Sequence, residues 1–257
     1  MRSFARYHIL RVLREHSIAD ETWHGISQRL PLLLPLSATE RARLRELVTL
    51  FLHQKDFTGV QGLAIDDEIR ITIAAQACLE ILELGLDAFA GWVEIVVYPG
   101  AFQVAHETLD DAGVVHQQDS ALSGESWSRG PVILSWQDVQ QDSFNLHPGH
   151  NVVLHEFAHK LDMLNQRANG MPPLHPDMSI RDWTNALSQA YENLQRRLEH
   201  HKATINAYAA TSPAEFFAVI CEYFFTAPEI LWQHCPDVYR QLQAWFKQDP
   251  LARKQLN

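Results

Sequence analysis

Apolar positions along this chain of 257 residues recur at helical spacing, then at strand spacing, then at helical spacing again. Ser37-Ala38-Thr39-Glu40 carries a serine with a glutamate three residues later, and Leu44, Leu47, Val48 and Phe51 follow at i, i+3, i+4 and i+7. That is a capping box leading an amphipathic helix. After the turn-like TGVQG (58–62), Asp66 or Asp67 caps a second helix running through Ala74, Cys78 and Ile81 and ending near Gly85. Ahead of both, Arg2, Arg6, Arg11 and Arg14 interleave with Phe4, Ile9, Leu10 and Leu13. This pattern fits a peripheral or partly disordered helix, with a membrane-surface or targeting helix as the alternative.

The period then shortens. WVEIVVYPGAF (92–102), GVVHQQ (113–118) and GPVILSWQDV (130–139) are β-branched and aromatic, with Gly, Pro and Ser between them, and predict a sheet of three or four strands. Helical spacing returns at 151–164, at about 180–200 beginning from Ser179 or Asp182, at 213–225 and at 228–247. The expected class is therefore α+β: a helical N-terminal part, a small mixed β-sheet, and a helical C-terminal part. Residues 1–90 are expected to pack on a core formed by 91–257, in one compact unit.

Composition narrows the classes. Hydrophobic residues make up 46% and charged ones 20%, which supports a packed core rather than a disordered chain. A formal charge of −10 opposes direct nucleic-acid binding, because little basic charge is free to neutralise phosphates. Cys78, Cys221 and Cys235 are odd in number and lack CxxC spacing, so free thiols in a reducing compartment are expected. No secretory signal is read, and RLPLLLPL (29–36) is too short and too proline-rich to span a bilayer. A cytoplasmic protein without a transmembrane segment is expected.

The chemistry concentrates in NVVLHEFAHKLDMLN (151–165). Residues four apart on a helix share a face, so His155 and His159 can clasp one metal ion. Glu156 lies round the helix, where it can reach a water beside the metal rather than the metal itself. A third ligand is sought in YAATSPAEFFAVICEYFF (208–225), which offers Glu215 and Glu222. Glu215 also stands where a capping box seeded by Ser212 would use it. Against that role, Phe216, Phe217, Val219, Phe224 and Phe225 imply a buried helix, and a buried carboxylate needs a cation or strong hydrogen bonds. Glu222 shares its face and suits an acceptor for a ligating imidazole. Asp162 can ligate metal, bond a histidine or anchor the surroundings of Lys160; His147 and His150 read as loop residues near the site, and His200-His201 as a solvated helix end.

HEFAHKLD and AYAATSPAEFFAVICEYFF, with LELGLDAF, VVYPGAF and SGESWSRGPVILSW upstream, resemble the Mlc titration factor A family over residues 20–250. These are bacterial cytosolic zinc peptidases of gluzincin type, related in catalytic core to anthrax lethal factor. The resemblance implies one zinc per chain held by His155, His159 and Glu215, with Glu156 as catalytic base. It matches Tyr208 to a tyrosine facing the zinc, whose phenol can meet an oxyanion; from the sequence alone, a buried tyrosine bonded to backbone fits as well. It matches His116 to a further zinc-associated histidine, which by itself reads as an ordinary strand residue. It also implies a peptide substrate, cleaved in aminopeptidase fashion, and the glucose-regulatory repressor Mlc as partner. The alternative function is mainly repressor sequestration with weak or latent peptidase activity.

Overall fold

The computed structural model describes residues 2–100 and 130–255. Chain order is α1 (Arg2–Glu15), α2 (Asp20–Ser27), α3 (Ala38–Gln54), β1 (Asp56–Gly59), α4 (Asp67–Glu80), β2 (Glu94–Tyr98) and β3 (Val132–Ser135). There follow α5 (Trp136–Phe144), α6 (Val152–Asp162), α7 (Ile180–Glu199), α8 (Pro213–Thr226), α9 (Pro228–His234), α10 (Pro236–Phe246) and α11 (Pro250–Gln255). The class is α+β, as the pattern predicts.

Local capping chemistry sets most boundaries. The Ser37 side chain accepts from the Glu40 N–H while the Glu40 carboxylate accepts from the Ser37 N–H, so the predicted box is formed. Asp66 caps α4 through the Ile69 N–H, and Ser179 caps α7 through the Asp182 N–H.

Three elements differ from expectation. β1 lies within the stretch expected to be helical, held by parallel pairing with β2 in the register Phe57 to Ile95. The predicted strand 130–139 stops at Ser135, whose hydroxyl accepts the Asp138 N–H and starts α5 instead. The predicted helix 228–247 is two helices, because Pro236 brings no N–H to continue the first and opens the second. The predicted strand 113–118 lies outside the described residues.

The described strands are all parallel, in the order β1-β2-β3. Ile95, Val97, Val132 and Leu134 are buried, and α6 packs against β3. An aromatic cluster fixes α6 from behind: Phe157 meets the rings of Phe51, Phe89 and Trp92 at centroid distances of 5.9, 5.1 and 5.7 Å. Lys160, also on α6, donates to the Gly130 carbonyl at 2.7 Å just ahead of β3. On its other flanks α6 packs against α4 and α8.

Candidate metal centre

The start of α6 is held by side chains from three directions. Asn151 caps it, its Oδ1 accepting the Leu154 N–H at 2.9 Å. The Asn151 backbone N–H donates to Glu222 Oε2 on α8, and the Val152 N–H donates to Asp142 Oδ2 on α5. Negative charge at a helix N-terminus is favourable, so both carboxylates stabilise the end they bind. Just upstream, Gly149 has φ of 68°, and a Cβ there would lie 2.1 Å from the Tyr223 ring, so only glycine fits.

One turn into this helix, His155 and His159 turn their rings toward α8. His155 Nε2 lies 3.0 Å from Glu215 Oε2, His159 Nε2 lies 3.4 Å from the same oxygen, and the two Nε2 atoms are 3.2 Å apart. A tetrahedral shell with bonds of about 2.0–2.1 Å separates its donors by about 3.3 Å. The three atoms therefore fit one zinc-sized ion. Glu215 occupies the third position of α8 and its N–H does bond Ser212 Oγ at 3.1 Å, yet its carboxylate faces the histidines. Glu215 Oε2 is buried and accepts no hydrogen bond from the described residues, which is costly for a carboxylate oxygen unless a cation meets it.

Glu222 sits behind this trio. Its Oε1 accepts from His155 Nδ1 at 2.8 Å, directing Nε2 of the same ring toward Glu215. Burial opposes charge on His155, but the carboxylates of Glu215 and Glu222 outweigh it and push the imidazole up to about 10. Burial would also raise Glu215, yet His155 and His159 hold it well below the usual carboxylate range. The cluster is thus a cradle of two imidazoles and a carboxylate whose charge suits a cation.

Glu156 is raised above the ordinary carboxylate range, chiefly by burial and with His155 and His159 opposing. Tyr208 lies on a 3₁₀ turn, Ala207–Ala210, with its ring centroid 5.9 Å from that of His155. It is 52% exposed, so it is not a core tyrosine. Its phenol is pushed up to about 12, by burial first and then by the negative charge of Glu215 and Glu156.

His116 lies outside the described residues. Asp162 bonds neither histidine; its Oδ2 accepts the Gly170 N–H at 2.8 Å and anchors the loop after α6. His150 Nδ1 stands 3.1 Å from Asp142 Oδ2, beside the helix start rather than the metal cluster.

Sequence reasoning missed Asn151, Gln76 and Asp142. Asn151 Nδ2 donates to Gln76 Oε1 at 2.7 Å, and Gln76 Nε2 donates to Ser143 Oγ at 2.7 Å, all within the core. An asparagine just before an apolar helical run is a readable cap, and a glutamine inside the apolar stretch 69–82 is a readable anomaly. What joins them is tertiary and leaves no local signal.

A helix-borne HExxH sequence whose two histidines meet a glutamate from a second helix defines a metallopeptidase type of centre. The chain belongs to the glucose-regulated metallo-peptidase M90 family, whose profile matches residues 4–247. It is 45% identical over 230 residues to Mlc titration factor A of Serratia proteamaculans (strain 568), covering 88% of this chain and 87% of that protein. It is 42% identical over 238 residues to Mlc titration factor A of Yersinia pestis (strain Pestoides F), covering 90% and 86%. Among the described residues, no helix is long and apolar enough to cross a membrane.

Proposed function

We propose that this protein is a zinc-dependent peptidase holding one zinc per chain through His155, His159 and Glu215. The observation that carries this reading is the convergence of those three donor atoms at 3.0–3.4 Å around a buried carboxylate oxygen without a hydrogen bond. When bound, zinc supplies a Lewis acid for the scissile carbonyl and makes water a usable nucleophile near neutral pH.

The chain's own residues do the rest. Glu156 takes the proton of the attacking water and delivers it to the leaving amine. Its half-buried carboxylate is more basic than an ordinary one, which suits a proton acceptor. Tyr208 presents a phenol, protonated at any physiological pH, and donates a hydrogen bond to the oxygen on which negative charge develops. Glu222 keeps His155 aimed at the centre. His116, if it also ligates, would close the fourth position and must withdraw before hydrolysis. Cleavage of aminopeptidase type, in the cytoplasm, completes the reading.

The name shared by the relatives supports a second activity, binding of the repressor Mlc. Purified protein with and without a chelator separates the two. Peptide hydrolysis is expected to vanish with the metal and return on adding zinc, whereas repressor binding is expected to survive chelation. Hydrolysis insensitive to chelation would overturn the zinc reading.

A further inference from the structure

A single hydrogen-bonded chain runs from the metal cluster into the core. It passes from His155 Nδ1 to Glu222 Oε1, from Glu222 Oε2 to the Asn151 N–H, from Asn151 Nδ2 to Gln76 Oε1, and from Gln76 Nε2 to Ser143 Oγ. Donors and acceptors alternate without conflict, which fixes both amide orientations. Gln76 and Asn151 are fully buried, while Glu222 and Ser143 are nearly so. Four elements are tied by it: α4, α5, α6 and α8.

Gln76 is otherwise out of place. Its buried neighbours on α4 are mostly apolar, Ile69, Ile73, Ala74, Ala77 and Cys78 among them, with the polar Thr72 and Glu80 one turn to either side. An amide inside such a helix is unfavourable unless every bond is made, and here Gln76 Nε2 also donates to the Thr72 carbonyl at 3.1 Å. Packing alone would be served as well by leucine. What leucine cannot do is hold the Asn151 side chain.

Asn151 is the residue through which that hold reaches the metal ligands. It caps α6, so its position sets where the helix begins, and His155 follows exactly one turn later through its own N–H bond to the Asn151 carbonyl at 3.0 Å. Its N–H also fixes the carboxylate that orients His155.

We propose that Gln76 is a positioning residue for the metal centre: by clamping the Asn151 side chain it sets the seat of α6 relative to Glu222, and thereby the approach of His155 and His159 to Glu215. The inference rests on the zinc-peptidase reading, and its test separates the two.

Gln76→Leu removes the clamp and keeps most of the volume. Asn151→Ser keeps a competent cap and the backbone bond to Glu222 but cannot span to Gln76. Zinc affinity of these variants and the double variant is measured by competition with a chelator, alongside the visible spectrum of the cobalt-substituted proteins and the melting temperature without metal. Each single variant is expected to bind zinc about tenfold more weakly, with an altered cobalt spectrum. The double variant is expected to be no weaker than the worse single one, because both remove the same bond.

If Gln76 only fills space, folded Gln76→Leu shows a lower melting temperature with zinc affinity within twofold of the parent and an unchanged cobalt spectrum; that result overturns the proposal. Should Gln76→Leu not fold, Asn151→Ser decides by the same two readouts. Failure of the parent itself to bind zinc would refute the peptidase reading and this inference with it, whereas normal zinc binding in all variants refutes this inference alone.

Discussion

Behind His155, a continuous run of hydrogen bonds leads into the core. Glu222 accepts from its Nδ1, the Asn151 N–H holds that carboxylate, Gln76 holds the Asn151 side chain, and Phe157 locks the helix among aromatic rings. In front of it, Tyr208 rides on one 3₁₀ turn held by the Asn206 cap and by Tyr191, which donates to the Ala210 carbonyl. The rear is nearly dry, and the front is half exposed at Tyr208. The contrast divides the labour. In the proposed function, metal ligands must not move and are overdetermined from behind, whereas a group that meets substrate must be reachable and sits on a short element facing solvent. Substitutions behind the ligands should therefore act on metal affinity, and those in front on turnover.

The largest effect is expected from Glu215→Ala, which deletes the carboxylate that faces both histidines. Zinc should no longer copurify, and hydrolysis should fall to background; metal analysis by mass spectrometry checks the first and a peptide-cleavage assay the second. Unchanged zinc content would move the third ligand elsewhere.

Tyr208→Phe tests the front alone. Zinc content and melting temperature should stay near the parent's, because an exposed phenol is not packed into the core. Turnover should drop by about 10²–10³ and fall mainly on kcat, since the charge the phenol meets exists only in the transition state. An intact kcat with a lowered melting temperature would make Tyr208 a structural residue.

Asp162 offers a pH test at the rear. Burial raises its pKa to about 6 from an ordinary 3.8, so between those values the folded protein holds a proton that the unfolded chain has lost. Asp162's contribution to the stability of the metal-free protein should be fullest below 3.8 and fall as pH rises toward 6, by at most about 3 kcal/mol. In Asp162→Asn that decline should be absent. Denaturant titrations across this range measure it, and parallel profiles for both proteins would refute it.

Glu222→Gln is the mildest change. The amide carbonyl can still accept from His155, but its NH₂ then confronts the Asn151 N–H, donor against donor. Zinc affinity should weaken about 10–100-fold, with turnover of the zinc-saturated variant little changed. A larger loss in kcat than in affinity would erase the division between rear and front.

How far the sequence alone could be read follows the same line between local and tertiary. Ser37, Asp66 and Ser179 announce their helices because a cap is chemistry within four residues. His155, Glu156 and His159 share a helix turn, so their spacing is visible, and the buried setting of α8 points to Glu215. β1 was illegible because four residues ending in glycine resemble a turn, and only its pairing with β2 makes them a strand. Ser135 was readable as a cap for α5 through Asp138, but the β-branched run before it masked the change of period. The bond between Gln76 and Asn151 spans 75 residues, and no local pattern encodes it.

The account rests on one partly buried zinc site and one carboxylate beside it performing hydrolysis. Glu156→Gln, assayed for zinc content and peptide cleavage in one preparation, tests it most directly. The amide nearly preserves shape but cannot accept water's proton, so the variant should carry one zinc per chain like the parent while cleavage falls by at least about 10². A zinc-loaded variant that cleaves peptide at close to the parent's rate would contradict the account.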